Sequence, residues 1–173
     1  MSAHQPSNHN RERALLVGLV VPGLPRPVVE EHLDELERLV DTAGAEVVGR
    51  DLQELTRAKA ATLVGRGFLG RLAQRCEDEE IDSLIFDEDL TASQIRNIER
   101  EVSRPVKVLD RAAVILDIFA QHARSRESQT QVELAQLGYL LPRLTRRWQH
   151  LSRQAGASGP EALVRRSSKS IVG

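Results

Sequence analysis

Residues 14–21 read ALLVGLVV, eight apolar residues with no polar interruption, closed by Pro22-Gly23. A strand with one face in water alternates apolar and polar, whereas an unbroken run of this length fits a strand buried on both faces of a parallel sheet. Parallel strands need crossover connections, and the sequence supplies them. VVEEHLDELERLVDTA, 28–43, sets Val29, Leu33, Leu36 and Val40 at helical spacing and stops at Gly44. AEVVG at 45–49 reads as a second strand, FLGRLAQRCEDEE at 68–80 as a helix and DSLIF at 82–86 as a third strand, while 51–63 carries no decisive period. Thr91 and Gln94 have capping-box spacing, so a helix starts there, turns Ile95 and Ile98 inward and ends before Arg104-Pro105. PVKVL, 105–109, is the fourth strand. The predicted fold class is therefore α/β: a small, mainly parallel four-stranded sheet flanked by helices over residues 14–109, after a polar tail at 1–13 that reads as disordered.

After Asp110, which can cap the next helix, the pattern stays helical to Gln154. Leu134, Leu137, Leu141, Leu144, Trp148 and Leu151 alternate steps of three and four, the period of a coiled-coil or hairpin seam. Pro142 removes a backbone donor and crowds the carbonyl four residues earlier, at Gly138, which predicts a kink rather than a break. Residues 110–154 are thus expected to form a long helical subdomain in which the leucine face packs, and 155–173 a basic, flexible tail.

A chain of 173 residues with 40% hydrophobic content can bury one core. No apolar run approaches the roughly 20 residues that span a bilayer, and the polar N-terminus is not a signal sequence, which points to the cytoplasm and away from membranes. The single cysteine, Cys76, lies in a helical, charge-rich segment and reads as an inert thiol in a reducing compartment. Charge is segregated. Residues 1–110 hold 14 Lys and Arg against 21 Asp and Glu (net −7), and residues 111–173 hold 10 against 4 (net +6). A basic C-terminal end suggests a polyanionic partner, nucleic acid ahead of membrane. Arg143, Arg146, Arg147, His150 and Arg153 fall off the leucine seam and are the candidate RNA-binding residues; a solvated basic face is the plain alternative.

Two motifs bear on small ligands. Gly65-Arg66-Gly67-Phe68-Leu69-Gly70 satisfies G-x-G-x-x-G, and Asp87 lies near the offset of a ribose-binding acid. The fingerprint belongs in the first strand-to-helix turn, however, and the first strand here lies some fifty residues upstream. A glycine-rich turn is the leading reading; nucleotide binding through Gly65, Gly67 and Asp87 is the alternative. Asp87-Glu88-Asp89 follows a strand, where ligands or Mg²⁺ often bind, though helix-entry carboxylates explain it more simply. There is no G-x-x-x-x-G-K-[ST], no G-x-S-x-G and no metal-spaced Cys/His pair, so no catalytic residue, metal or cofactor is assigned. SSKS at 167–170 lacks the glycines of a phosphate loop, and His4 and His9 sit in the polar tail.

Residues 87–154, above all SQIRNIE, VLDRAAVILDIFA and QVELAQLGYLLPRL, resemble the N-terminal region of the HflX family of ribosome-associated GTPases, as does VGRGFLGRL at 64–72. The resemblance covers about residues 14–154. It implies an α/β subdomain followed by a helical hairpin whose basic, glycine-rich tip reaches the peptidyl-transferase region of the large ribosomal subunit. In that family a returning helix and a GTPase domain come next, and GTP-linked binding helps to split stalled or hibernating ribosomes. ATP binding to the N-terminal region has also been proposed for it. Here AGASGPEALVRRSSKSIVG comes after Gln154, with Gly156, Gly159, Pro160 and Glu161 as a remnant of the tip. The expectation is a stand-alone module that binds large-subunit ribosomal RNA without hydrolysing GTP. The alternatives are a nucleotide-binding α/β domain, or a protein-interaction module that pairs with a second copy or a helix partner through Leu137, Leu141, Leu144 and Trp148.

Overall fold

The computed structural model describes residues 11–102 and 105–154, with side chains as far as residue 141. Strand β1 (Arg13–Val20) leads to helix α1 (Arg26–Ala43), β2 (Glu46–Glu54), α2 (Arg66–Asp78), β3 (Ser83–Phe86), α3 (Ala92–Glu101), β4 (Lys107–Asp110), α4 (Arg111–His122) and α5 (Arg126–Gln154). All neighbouring strands pair parallel, in the order β2-β1-β3-β4. β1 is central, which is why its run is apolar throughout. Leu15, Val17 and Leu19 face one core with Leu84, Phe86, Leu69, Leu72 and Ile98, on the α2 and α3 side. Ala14 and Leu16 face the other with Ile85, Leu33, Leu36 and Val114, on the α1 and α4 side. The layers are helix, sheet, helix. Among the described residues no helix is long and apolar enough to cross a membrane.

The differences from expectation have local causes. α1 starts at Arg26, with Pro25 as N-cap and Pro27 in the first turn, where a missing N–H costs nothing. It ends on Gly44, whose φ of 97° needs no side chain. α1 also lies close to β1, because a Cβ on Gly18 would stand 2.7 Å from the Val29 side chain. β2 runs to Glu54 rather than stopping at Gly49. It is an edge strand paired only with β1, so Arg50–Glu54 remains partly exposed and can be polar, and no apolar alternation marks it. The glycine-rich segment opens α2: Gly65 is its N-cap with φ −74°, and Gly67 lies inside the helix.

The Thr91–Gln94 capping box is present, with Gln94 N–H donating to Thr91 Oγ1 (3.2 Å) and Thr91 N–H to Gln94 Oε1 (2.9 Å). Asp110 caps α4, its Oδ1 accepting from Ala113 N–H at 3.0 Å. The helical region is not continuous: α4 stops at His122 and α5 starts at Arg126. Ser125 and Ser128 form a reciprocal cap, Ser128 N–H donating to Ser125 Oγ (3.0 Å) and Ser125 N–H to Ser128 Oγ (3.1 Å). α5 then runs through Pro142 without a break. α4 packs on α1, so the division read at Asp110 falls inside the layered body, and α5 lies against both α4 and α3.

The face of α5 that packs is not the leucine seam. Ser128, Val132, Gln136 and Tyr139 are its partly buried positions, whereas Leu134, Leu137 and Leu141 are 70%, 52% and 53% exposed. As far as Leu141, the seam has the right period but points away from the body.

Candidate functional site

In an open parallel sheet the natural ligand crevice lies at the carboxyl ends of the strands, where the strand order reverses. The chain passes from β1 outward to β2 and then returns to β3 on the other side of β1, so that point lies between β1 and β3. Leu19, Asp87 and Glu88 meet there. Asp87 Oδ1 accepts from Arg111 Nη1 (3.0 Å), and Asp87 Oδ2 stands 3.2 Å from His32 Nδ1. Arg111 Nη2 reaches Glu35 Oε2 at 2.7 Å, and this hydrogen bond, with the guanidinium charge, holds the Glu35 carboxyl below the usual carboxylate range. His32 and Glu35 are one turn apart on α1, and Arg111 opens α4. The cluster therefore ties both helices of one layer to the end of β3.

Glu88 has a different environment. Its Oε1 accepts from Leu19 N–H at 3.0 Å, while its Oε2 is buried with no hydrogen-bond partner. Burial pushes this carboxyl up to about 7, only partly offset by the backbone amides of Glu88 and Leu19. Neither Asp87 nor Glu88 acts as a carboxylate in the first turn of a helix, since α3 begins at Ala92 with Thr91 as its cap. One neutralises Arg111 and the other closes the end of β1.

Buried Asp110, at the end of β4, is the third junction. Beyond capping α4, its Oδ2 accepts from Leu90 N–H (3.1 Å) and its Oδ1 from Tyr139 OH (2.7 Å). One carboxylate thus fixes the β3–α3 loop, α4 and α5. Its acceptor geometry is filled by protein donors, which suits a fastening rather than a reactive group.

The residues weighed for a nucleotide are also engaged by the protein. Gly65 N–H donates to Gln53 Oε1 at 2.8 Å, and Asp87 is matched as above. Gly67 would meet nothing within 4 Å if it carried a Cβ, so no close backbone approach requires glycine there. The intervening loop is fastened to α3, with Gln94 Nε2 donating to Ala60 O (3.3 Å) and Asn97 Nδ2 to Ala61 O (2.9 Å). Among the described residues no group of three or more His, Cys, Asp or Glu is placed to hold a metal. His32 and Glu35 belong to no motif in the sequence and are cued only by their helical spacing, whereas Arg111 falls within VLDRAAVILDIFA, immediately after a capping aspartate.

Arg143, Arg146, Arg147, His150 and Arg153 all occupy α5, but their side chains lie outside the described residues, as do those of Leu144 and Trp148. Helical geometry still assigns them to faces. At 100° per residue, positions 143, 146, 147, 150 and 153 share a stripe about 120° wide, which continues the line of 128, 132, 136 and 139. Positions 137, 141, 144, 148 and 151 fall on the other side.

Comparison with known proteins agrees with this architecture. The sequence model of the GTP-binding GTPase N-terminal family matches residues 30–120, and that of the GTP-binding GTPase middle region matches 122–169. The chain belongs to the HflX family of GTPases. The GTPase HflX of Flavobacterium psychrophilum is 43% identical over 150 residues, covering 87% of this chain and 36% of the relative. That of Magnetococcus marinus is 44% identical over 148 residues, 86% and 34%, and that of Escherichia coli 42% over 133 residues, 75% and 30%. The chain thus spans about a third of the length of the curated HflX relatives it matches, and corresponds to their N-terminal and middle regions. Among solved structures, SsGBP in complex with GDP is similar at TM-score 0.62 and 30% identity over 78% of this chain and 37% of that one. A GTP-binding protein of the archaeon Sulfolobus solfataricus in complex with GDP gives 0.61 and 30%, over 80% and 40%.

Proposed function

We propose that this HflX-type region is a ribosome-binding module that contacts large-subunit ribosomal RNA through Arg143, Arg146, Arg147, His150 and Arg153 of α5, and that these 173 residues hydrolyse no GTP. The observation that carries the reading is charge segregation along one helix. Residues 1–110 have net charge −7, and the five basic positions share one helical stripe with no acid between Arg143 and Gln154. Phosphates of structured RNA offer a dense field that such a stripe can neutralise, whereas an acidic body would be repelled from the same surface. The sequence contains no G-x-x-x-x-G-K-[ST], which accounts for the absence of hydrolysis in the proposal.

Co-sedimentation with purified subunits tests it. The protein should pellet with the large subunit and not the small one, and affinity should fall steeply with salt. Replacing Arg146 and Arg147 by glutamine should flatten the log–log salt slope by roughly two. Binding that is indifferent to salt and to these substitutions would leave α5 as a merely solvated basic helix.

A second reading is favoured by one specific observation, the exposure of Leu134, Leu137 and Leu141 on the outer face of α5. Leucines at coiled-coil spacing without a partner can pair with a second copy through Leu137, Leu141, Leu144 and Trp148. Analytical ultracentrifugation separates the two: self-pairing gives a concentration-dependent mass that Leu141→Glu abolishes, and a strict monomer at high concentration rules it out.

A further inference from the structure

The net charge of −7 over residues 1–110 is itself unevenly placed. α1 holds six acids, Glu30, Glu31, Asp34, Glu35, Glu37 and Asp41, against Arg26 and Arg38, whereas residues 55–76 hold five cations, Arg57, Lys59, Arg66, Arg71 and Arg75, and no acid. The cations of the two regions are also used differently. Arg26, Arg50 and Arg111 meet carboxylates of α1, and Arg75 is held between Asp51 (2.8 Å) and Glu79 (2.6 Å). Arg57, Lys59, Arg66 and Arg71 are exposed and, among the described residues, form no ion pair; Arg71 lies over the Phe68 ring, 5.5 Å from its centre.

The fold holds these four at one end of the sheet. The segment after Glu54 leaves the carboxyl end of β2 and closes on itself, with Lys59 N–H donating to Leu63 O (2.7 Å) and Leu63 N–H to Lys59 O (2.8 Å), and it is fastened to α3 through Ala60 O and Ala61 O. Leu63 adopts φ 63°, a costly conformation for a leucine, which marks a loop held in one shape rather than a slack connection. Gly65 is tied to Gln53, so Arg66 opens α2 beside the same strand end. No side chain caps the first turn there, and the amide end of the helix adds its positive potential. The apolar residues of the segment, Leu63, Val64, Phe68, Leu69 and Leu72, are buried, and among the described residues every exposed large hydrophobic lies on α4 or α5. This surface therefore offers charge without an apolar centre.

A protein partner is usually met by a surface whose core is apolar and aromatic. A phosphate backbone needs none, because spaced cations neutralise it and guanidinium groups grip phosphate oxygens in pairs. We infer that Arg57, Lys59, Arg66 and Arg71 form a second RNA-backbone contact, carried by the α/β body and separate from that of α5. That the polyanion is RNA rather than another nucleic acid rests on the function proposed above. α5 leaves the body at the same end of the sheet, since Tyr139 reaches Asp110 at the carboxyl end of β4. One folded RNA can therefore span both surfaces, while the acidic α1 lies in the opposite layer.

Fluorescence anisotropy of a labelled, fully paired RNA hairpin, titrated with the full chain over a range of salt, tests it. The triple replacement Arg57→Gln, Lys59→Gln and Arg66→Gln should weaken binding and flatten the log–log salt slope by roughly three, one per lost phosphate contact. Its thermal midpoint should not move, because the three side chains are exposed. A control triple, Arg38→Gln, Arg124→Gln and Arg126→Gln, makes the same change in net charge on α1 and at the α4–α5 turn and should leave the slope as it is. Arg146→Gln with Arg147→Gln separates the two contacts. If that pair has no effect while the body triple flattens the slope, the α5 contact fails and the inference stands; if the pair flattens the slope and the body triple does not, the inference is overturned and the α5 contact stands. Equal flattening by the control triple, absence of saturable RNA binding, or binding of polyglutamate in place of RNA would also overturn it, the last by assigning the surface to an acidic protein.

Discussion

Leu36 and Leu137 are the same side chain at apolar positions of two helices in one molecule, yet the first is fully buried and the second is 52% exposed. Leu36 lies on α1, where the apolar stripe meets a sheet whose own strand is apolar on both faces. Leu137 lies on α5, where the spacing is equally regular but the body meets a neighbouring stripe instead. Period alone says that a face wants a partner. It does not say where the partner is. In the α/β body the partner is supplied by short crossovers, whereas α5 is held mainly at Asp110 and by its contacts with α4 and α3, and its leucines look outward.

Truncation sharpens this contrast most. Leu36→Ala removes a side chain at 0% exposure inside a closed layer and should lower unfolding stability by about 2–5 kcal/mol, read as a shifted denaturant midpoint with an unchanged slope. A loss below about 1 kcal/mol would mean that the α1 layer relaxes freely and the body is not the rigid partner in the comparison.

The next effect separates the body's closed end from its surface charges by pH. Glu88 has its folded pKa raised to about 7, above the ordinary value of 4.5, so the folded state holds that proton more tightly than the unfolded chain does. Its contribution is fully present below about pH 4.5 and is lost as pH rises through about 7. Measured against Glu88→Gln, which stays neutral and retains an acceptor for Leu19 N–H, the wild-type chain should lose up to about 3 kcal/mol over that window. Parallel stability curves for the two proteins would show that Glu88 is not desolvated.

Much of the body was legible because burial writes itself into composition. The central strand showed as ALLVGLVV, α1 as Val29-Leu33-Leu36-Val40, and the α3 start as Thr91-x-x-Gln94, each a local signal of a local cause. β2 was legible only in its first half, since an edge strand can fill its exposed positions with Arg50, Asp51 and Gln53 without penalty. The α4–α5 break was written in Ser125 and Ser128, a cap without the usual Glu or Gln at its third helical position, and it was masked by the helical residues on both sides. The side-chain junctions were not legible at all. Asp87 with Arg111 and His32, and Asp110 with Leu90 and Tyr139, join residues 20 to 55 positions apart, and only the fold brings them together.

The attachment of α5 gives a smaller effect. Tyr139→Phe deletes the 2.7 Å hydrogen bond to Asp110 and leaves that carboxylate with its two amide donors. A loss of about 1.5 kcal/mol is expected, at the upper end of the net range for a single hydrogen bond because Asp110 is fully buried. Amide exchange should locate it, with α5 protection falling and β1 protection unchanged. Equal loosening of β1 would show that α5 and the body unfold as one unit, and the distinction between the two regions would fail.

The smallest expected effect is the other half of the opening pair. Leu137→Ala removes a side chain that is half in solvent and meets no packed layer, so in a monomer its cost should stay within about 0.5 kcal/mol. The same substitution reads differently if two copies pair along the outer face of α5, because Leu137 would then be buried between helices and its truncation would cost an amount that grows with protein concentration. Thermal midpoints of the wild-type chain and Leu137→Ala at two concentrations a hundredfold apart distinguish the cases. Coincident midpoints at both concentrations leave the leucine face without a second copy; a gap that opens with concentration assigns the outer face to one.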